Sequence, residues 1–211
     1  MAYHGYLRFI SEYSTVINKV QNKTVKILEI GVDTGITLFA LNNNLNLLNV
    51  PFEYTGLDIK VQRHISVLNY TFLQKFESNK IKVYEENSLN YLKDCNEIFD
   101  VILIDGDHNY KTVKKELSYL DMISHENTLV ICDDYKGRWA TLDLYYANRD
   151  GYEDNTKATK FEESEKQGVM TAIDEFLYEN KNFTSFTLME GEPICIINKK
   201  NNIIKKETTD D

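Results

Sequence analysis

The chain has 211 residues, 42% of them hydrophobic, which excludes wholesale disorder and allows one domain with a sizeable core. Its net charge of −9 disfavours a nucleic-acid or anionic-membrane partner, because binding phosphate needs a basic face. The apolar runs are far shorter than the about 20 residues that cross a bilayer. The N-terminus lacks the continuous apolar core of a secretory leader, so we expect a cytoplasmic protein without a membrane partner.

Seven short runs of β-branched and aromatic residues predict strands. In chain order they are Val25–Ile30, Tyr54–Asp58, Ile81–Glu85, Phe99–Asp105, Thr128–Asp133, Thr184–Glu190 and Pro193–Asn198. Between these runs the apolar residues recur at helical spacing, in three stripes. The stripes are Leu38, Leu41, Leu45 and Leu48; Val113, Leu117, Leu120 and Ile123; and Val169, Ile173, Phe176 and Leu177.

Strands that alternate with helices predict right-handed βαβ units, and therefore a parallel sheet with helices on both faces. Only Gly191 and Glu192 separate the last two strands, which predicts an antiparallel hairpin. The predicted fold class is α/β, a doubly wound and mostly parallel seven-stranded sheet with a C-terminal antiparallel hairpin. We assign residues 1–198 to a single domain and expect residues 199–211 to form a frayed tail.

Residues 136–168 interrupt this alternation at a point where a short loop would suffice. The segment holds Arg138, Trp139, Tyr145, Tyr146 and Tyr152, followed by a strongly polar stretch. A connection of this length is usually functional or disordered. Because it leaves the carboxyl end of the fifth strand, where open parallel sheets bind ligands, we expect a lid with aromatic walls. The alternative is a solvated, partly helical insertion.

The first predicted strand runs into Glu29, Gly31 and Gly35, an ExGxxxG pattern followed by a helix. Glycines let the backbone turn sharply and approach a ligand closely. A pyrophosphate at a helix N-terminus needs the tighter GxGxxG spacing. The looser turn, with an acidic residue before it, favours a cationic ligand without phosphate. S-adenosylmethionine, which carries an ammonium and a sulfonium group, is such a ligand.

Two further strand ends extend this predicted cofactor site. Asp58 ends the second strand, where a carboxylate can accept hydrogen bonds from both hydroxyls of a ribose. Asn87 and Ser88 end the third strand, beside the expected position of an adenine ring; alternatively, they cap the next helix. The predicted cofactor-binding residues are Glu29, Gly31, Gly35, Thr37, Asp58, Asn87, Ser88 and Asp105.

Acidic residues also follow the fourth and fifth strands, at Asp105 and Asp107 and at Asp133 and Asp134. The ends of neighbouring parallel strands lie side by side, so these carboxylates would repel one another without a cation. Oxygen ligands without cysteine or paired histidines favour Mg²⁺ or another divalent ion, with Asp105, Asp133 and Asp134 as ligands. Such an ion would acidify an acceptor hydroxyl. Asp107 is the expected base unless it caps the next helix, and His108 is the competing base.

The segments EIGVDTG, GLDIK, IDGDHNYKTVKKEL and ICDDYKGRW, followed by GVMTAIDEF, resemble the class I S-adenosylmethionine-dependent methyltransferases over residues 3–198. Within them the chain is most similar to the metal-dependent sugar O-methyltransferases typified by macrocin O-methyltransferase. The resemblance implies a Rossmann-like fold and methyl transfer to a hydroxyl of a small acceptor, a sugar or glycoside. It implies Mg²⁺ on Asp105, Asp133 and Asp134, and Asp107 as the base.

Other functions stay open from the sequence alone. One is a metal-independent N- or O-methyltransferase that uses Asp107 or His108. Another, of a different class, is an NAD-dependent oxidoreductase, although the third glycine of its motif is missing. The expected partner is a small hydroxylated acceptor, and the resemblance leaves a homo-oligomer open.

Overall fold

The computed structural model of the chain describes residues 4–67, 80–188 and 194–199. In this part seven strands form one sheet in the order β3-β2-β1-β4-β5-β7-β6. The first five strands pair in parallel, and β7 pairs antiparallel with both β5 and β6. The strands are β1 (Val25–Ile30), β2 (Phe52–Asp58), β3 (Lys80–Glu85), β4 (Phe99–Ile104), β5 (Ser124–Cys132), β6 (Phe183–Leu188) and β7 (Ile194–Lys199).

The predicted fold class is therefore confirmed, and β1 has the predicted bounds. The other strand ends differ by a few residues, most at β5, which begins at Ser124 rather than at Thr128. Ser124 pairs with Phe99 across an irregularity in the β4–β5 ladder, which lengthens β5 beyond its apolar run. The turn predicted at Gly191 and Glu192 lies outside the described residues.

The helices cover both faces of the sheet, as parallel strands require. Those with full bounds are α1 (His4–Gln21), α2 (Ile36–Leu47), α3 (Ser88–Lys93), α4 (Tyr110–Leu117), α5 (Leu120–Ile123) and α6 (Val169–Glu179). The stripe predicted from Val113 to Ile123 is divided between α4 and α5, although its four residues are all buried. Leu48 is 47% exposed and follows the end of α2, so the first stripe ends at Leu45.

Two apolar layers hold the helices to the sheet. Alternate side chains of β4 show the division, because Val101 and Leu103 pack with α1 and α2 whereas Ile102 and Ile104 pack with the helices α3 to α6. This alternation is the two-residue period of a strand buried on both faces. The two cores thus cover both faces of the sheet, while the carboxyl ends of the parallel strands project beyond them.

Residues 134–168 are mostly turns and irregular backbone, with one 3₁₀ turn at Tyr146–Asn148. Below, "the insertion" means residues 136–168. Lys199 ends β7, and the rest of the tail predicted at 199–211 lies outside the described residues. Across the described ranges, no helix combines the length and apolar character needed to span a bilayer.

Candidate functional site

Backbone hydrogen bonds continue the parallel ladder past the carboxyl ends of the strands. The amide of Gly31 donates to Leu57 O at 2.8 Å, and that of Asp105 donates to Ile30 O at 2.9 Å. These bonds align the ends of β2, β1 and β4. Residues that are far apart in the sequence therefore meet at one edge of the sheet.

The turn after β1 requires glycine at Gly31. This residue has a φ of +89°, in the left-handed region that side chains disfavour. A Cβ atom there would lie 2.0 Å from the carbonyl oxygen of Asp105. Gly35 also has a positive φ, of +77°, and precedes the first turn of α2. The predicted glycine turn is thus formed, and it brings β1 and the end of β4 into close contact.

A pocket opens beside this turn, at the carboxyl ends of β1 to β4. The space between its walls and in its open mouth amounts to about 670 Å³. The predicted site residues that line it are Gly31, Asp58, Asn87, Ser88, Asp105 and Asp107. Further lining residues, which the sequence did not single out as ligands, include Asp33, Lys60, Thr112, Tyr146, Tyr152 and Thr159.

Asp58 is held rigidly at the rim of this pocket. Its Oδ2 accepts hydrogen bonds from the amides of Val32 and Asp33 at 2.9 and 2.8 Å, and its Oδ1 accepts one from Lys60 N at 2.8 Å. Burial raises the pKa of Asp58, while the three amides oppose that effect. Three donors occupy three of the about four lone-pair positions of a carboxylate, so Asp58 can still accept a ligand hydroxyl.

Asn87 caps α3 and also holds the insertion. Its Oδ1 accepts a hydrogen bond from Leu89 N at 2.9 Å, whereas its Nδ2 donates to Lys157 O at 2.7 Å. The capping alternative is therefore correct, and the amide is already engaged on both sides. Ser88 points inward instead, where its Oγ donates to Oε1 of the buried Glu116 at 2.6 Å.

The insertion crosses the ends of β2 and β3 and forms one wall of the pocket. Lys60 Nζ donates to Gly151 O at 2.9 Å, and Asn155 Nδ2 donates to Ile59 O at 2.8 Å. Lys157 pairs with Glu85 at 2.9 Å. The aromatic wall contains Tyr146 and Tyr152, whose ring centroids lie 5.3 Å apart. The insertion thus packs against the pocket that holds the predicted cofactor residues.

Glu29 does not line this pocket. Its carboxyl group is buried between the hydroxyls of Tyr54 and Thr37. Burial raises its pKa to about 8, so the group is protonated at neutral pH. Glu29 and Thr37 face a second, much smaller cavity that Asp105 and Asp133 also line. Glu29 and Thr37 therefore stabilise the turn and the strand ends, and neither residue forms part of the wall of the larger pocket.

The three predicted metal ligands do not converge in this arrangement. Burial, together with the charge of Asp133, raises the pKa of Asp105 well above its usual range. Asp105 therefore keeps its proton and donates a hydrogen bond to Asp133. Asp134 has a φ of +55° and directs its Oδ2 to His108 Nδ1 at 3.2 Å.

This arrangement does not support the predicted magnesium site. Asp105 contacts Asp133, whereas Asp134 is paired with His108. Over residues 4–67, 80–188 and 194–199, no three His, Cys, Asp or Glu side chains are placed to hold a metal ion. These residues, as arranged, do not fit the predicted ion.

The two candidate bases differ in the hydrogen bonds that they already make. Asp107 accepts from Thr112 Oγ1 at 3.1 Å and from Tyr146 N at 3.4 Å, and it also contacts the side chains of Asn109 and Thr159. His108 makes one polar side-chain contact in the described part of the chain, through Nδ1. Burial lowers the pKa of His108, so its ring is neutral at pH 7.

Comparisons with known proteins agree with this architecture. A family model described as a methyltransferase domain matches residues 28–135, slightly more than half of the chain. No curated protein sequence matches the chain. The matched region runs from β1 to the residues just after β5, and so it contains every predicted site residue.

Solved structures share the fold at low sequence identity. A Podospora anserina methyltransferase bound to S-adenosylhomocysteine is 16% identical, with a TM-score of 0.53 over 92% of this chain and 79% of that chain. A Corynebacterium glutamicum protein is 11% identical, with a TM-score of 0.61 over 95% and 82%. The O-methyltransferase TomG of Streptomyces achromogenes, in complex with S-adenosylmethionine, is 12% identical, with a TM-score of 0.53 over 90% and 79%.

Proposed function

The chain belongs to this methyltransferase domain family, and from that premise we propose that it transfers the methyl group of S-adenosylmethionine to a hydroxyl group of a small acceptor. The observation that carries the proposal is the pocket at the ends of β1 to β4. Its wall combines the glycine turn, the rigid carboxylate of Asp58 and the polar ends of β3 and β4. The family membership argues against the NAD-dependent oxidoreductase that the sequence left open.

The residues of this pocket fit S-adenosylmethionine. Asp58 retains an acceptor position for a ribose hydroxyl, and Gly31 exposes backbone next to the acidic end of β4. Ser88 and Thr159 also line the pocket, on the side where an adenine would lie. When bound there, the group supplies an electrophilic methyl carbon on a sulfonium. Asn87 takes a supporting part, since its amide already holds the insertion.

We assign the proton acceptor to His108 rather than to Asp107. Asp107 already accepts hydrogen bonds from Thr112 Oγ1 of α4 and from the amide of Tyr146, so its carboxylate ties the insertion to α4. When Nδ1 of His108 donates to Asp134, Nε2 becomes the acceptor nitrogen of the neutral ring. Asp134 would also stabilise the imidazolium that forms.

In the proposed reaction, His108 Nε2 takes the proton of the acceptor hydroxyl. The acceptor oxygen forms a bond to the methyl carbon while the carbon–sulfur bond breaks. The electron pair of the carbon–sulfur bond stays on sulfur. A positioned general base of this kind contributes about 10²- to 10⁴-fold to the rate. The aromatic wall of Tyr146 and Tyr152 covers one side of the pocket and limits access of water to the reacting groups.

Titration calorimetry and a transfer assay test this proposal. We expect S-adenosylhomocysteine to bind the chain and NAD not to bind. Isotopically labelled methyl groups should pass from S-adenosylmethionine to hydroxylated small molecules and not to their deoxy analogues. Binding of NAD, or transfer only to amines, would contradict the assigned chemistry.

We propose further that the acceptor is a sugar or glycoside, which the family resemblance supports. Assistance by Mg²⁺ is not part of the proposed mechanism, because among the described residues Asp105, Asp133 and Asp134 are not placed to hold one ion together. Since Asp134 pairs with His108, we expect the transfer rate to stay unchanged in excess EDTA. A rate that falls in EDTA and recovers with Mg²⁺, but not in an Asp133→Asn variant, would restore the metal site.

A further inference from the structure

An arginine without an ion-pair partner lies beside the aromatic wall of the pocket. Arg149 follows the 3₁₀ turn of the insertion, and its Cζ lies 5.6 Å from the ring centroid of Tyr146. Among residues 4–67, 80–188 and 194–199, no carboxylate pairs with its guanidinium. Arg149 is exposed and so remains open to a ligand from solvent.

The backbone fixes Arg149 next to the reacting groups. Its amide donates to Tyr146 O at 2.9 Å, and Tyr146 N donates in turn to Asp107 Oδ1 at 3.4 Å. The ring of Tyr146 lies 6.3 Å from that of His108, between centroids. The arginine and the proposed base therefore both lie near one tyrosine ring. Burial lowers the pKa of His108; the charge of Asp133 opposes this effect and the more weakly acting charge of Arg149 adds to it.

Charges of opposite sign lie on two sides of the pocket. The carboxylates of Asp58 and Asp107 lie at the strand ends, with Lys60 beside them at the rim, whereas Arg149 stands beside Tyr146 on the insertion. An acceptor with a negative group at one end would be oriented by these opposite charges. Its anionic group would be held away from the acidic strand ends, and its hydroxyl would be directed toward them.

We propose, on the basis of the methyl transfer proposed above, that the acceptor is an anionic hydroxylated molecule whose carboxylate or phosphate binds Arg149 while its hydroxyl reaches His108. The planar guanidinium suits both groups, because its two parallel N–H donors match two anionic oxygens. Tyr146 and Tyr152 contact the apolar part of the same molecule. Arg149 is thus a specificity-determining residue on the insertion.

Matched ligands test this inference without turnover. The chain is saturated with S-adenosylhomocysteine and titrated with a neutral hexose, its uronate and its 6-phosphate, and with phenol, 4-hydroxybenzoate and 4-hydroxyphenyl phosphate. We expect the anionic members of at least one set to bind about tenfold more tightly than the neutral member, as a charge-assisted hydrogen bond provides. The preferred anion identifies a carboxylate or a phosphate as the group recognised.

Variants locate the effect. Arg149→Gln should remove the preference for anions. Arg149→Lys should retain part of it, because lysine keeps the positive charge but lacks the two parallel N–H donors of the guanidinium. Arg138→Gln is the matched control, since Arg138 also lies on the insertion with its Cζ 4.8 Å from the ring centroid of an aromatic residue, Trp139. It should keep the full preference.

The inference is overturned if no anion binds more tightly than its neutral analogue, or if Arg149→Gln leaves the preference unchanged. It is also overturned if Arg149→Gln weakens S-adenosylhomocysteine instead, because Arg149 would then serve the cofactor. Failure of S-adenosylhomocysteine to bind the unaltered chain contradicts the proposed function, which is a different result. Thermal unfolding of each variant verifies that it is folded.

Discussion

His108 Nδ1 lies 3.2 Å from Asp134 Oδ2, so an imidazole from the end of β4 is oriented by a carboxylate from the end of β5. The pair exists because the parallel register continues to Asp133 N, which donates to Ile104 O at 3.0 Å. The same register removes Asp134 from the predicted metal site. This contact is the basis on which we propose a histidine-assisted transfer.

The first prediction concerns the pH dependence of transfer. Burial lowers the pKa of His108 below its ordinary value of 6.5, so the neutral, active form persists to lower pH. Activity should rise with pH through that lowered pKa and stay level above pH 7. His108→Gln should lower kcat by about 10²- to 10⁴-fold, and the remaining activity should no longer rise with pH in the acidic range.

Two companion variants separate catalysis from binding. Asp134→Asn should lower kcat while S-adenosylhomocysteine still binds, because the asparagine no longer selects the tautomer with Nε2 unprotonated. His64→Gln is the control, since His64 is an exposed histidine bound to Thr34 O. An unchanged pH profile in His108→Gln would remove His108 from the mechanism.

The second prediction concerns Asp58. Asp58→Asn should weaken S-adenosylhomocysteine binding by about tenfold or more, because one acceptor oxygen is replaced by a donor. Calorimetry measures the dissociation constant, and Asp121→Asn, at an exposed residue of α5, serves as the control. Equal affinities of the Asp58 variant and the unaltered chain would show that this carboxylate only braces the glycine turn.

The third prediction concerns the attachment of the insertion. Asn87→Asp retains the oxygen that caps α3 but loses the Nδ2 donor to Lys157 O. Amide hydrogen exchange should therefore become faster around residues 157–159, while α3 stays protected. Asn96→Asp, an exposed asparagine change, should not alter the exchange. Equal protection of residues 157–159 in Asn87→Asp would mean that other contacts hold the insertion.

The fourth prediction concerns stability and the buried Glu116. Burial raises the pKa of its carboxyl group to about 8 in the folded chain, from 4.5. Between these pH values the unfolded chain releases the proton first, so the free energy of unfolding falls as pH rises.

Glu116→Gln should remove this contribution, about 1.4 kcal/mol per pH unit, while Glu29 retains its own. Denaturant titrations from pH 5 to 8 measure the slope. Glu165→Gln, an exposed change, is the control and should retain the slope of the unaltered chain. A slope for Glu116→Gln equal to that of the control would show that Glu116 is ionised in the folded chain.

Local patterns were sufficient to predict much of the architecture. The bounds of β1, the parallel alternation and the antiparallel pairing of β6 with β7 follow from strand runs and apolar spacing. The glycine turn was also predicted correctly, because Gly31 has a positive φ that few other residues adopt. These features depend on residues that are close together in the sequence, so the local pattern of residue types is sufficient to predict them.

The pocket depends on contacts between distant residues. Thr159 and Asn87 are 72 residues apart in the sequence. In the wall of the pocket, however, Thr159 Oγ1 lies 3.4 Å from Asn87 Nδ2. The polar stretch around Thr159 carries no pattern that indicates this position. The tyrosines of the insertion did predict an aromatic wall, since aromatic side chains in a polar segment need an apolar surface to cover.

The sequence by itself determined the alternation of strands and helices, the mostly parallel sheet with its antiparallel last pair and the acidic residues at the carboxyl ends of the strands, because backbone periodicity and strand polarity establish them. Only the tertiary structure decided which carboxyl groups contact each other, which one orients His108 and which arginine lies beside the aromatic wall. Those assignments depend on side-chain directions, burial and distances of a few ångströms, and residues far apart in the chain establish them together.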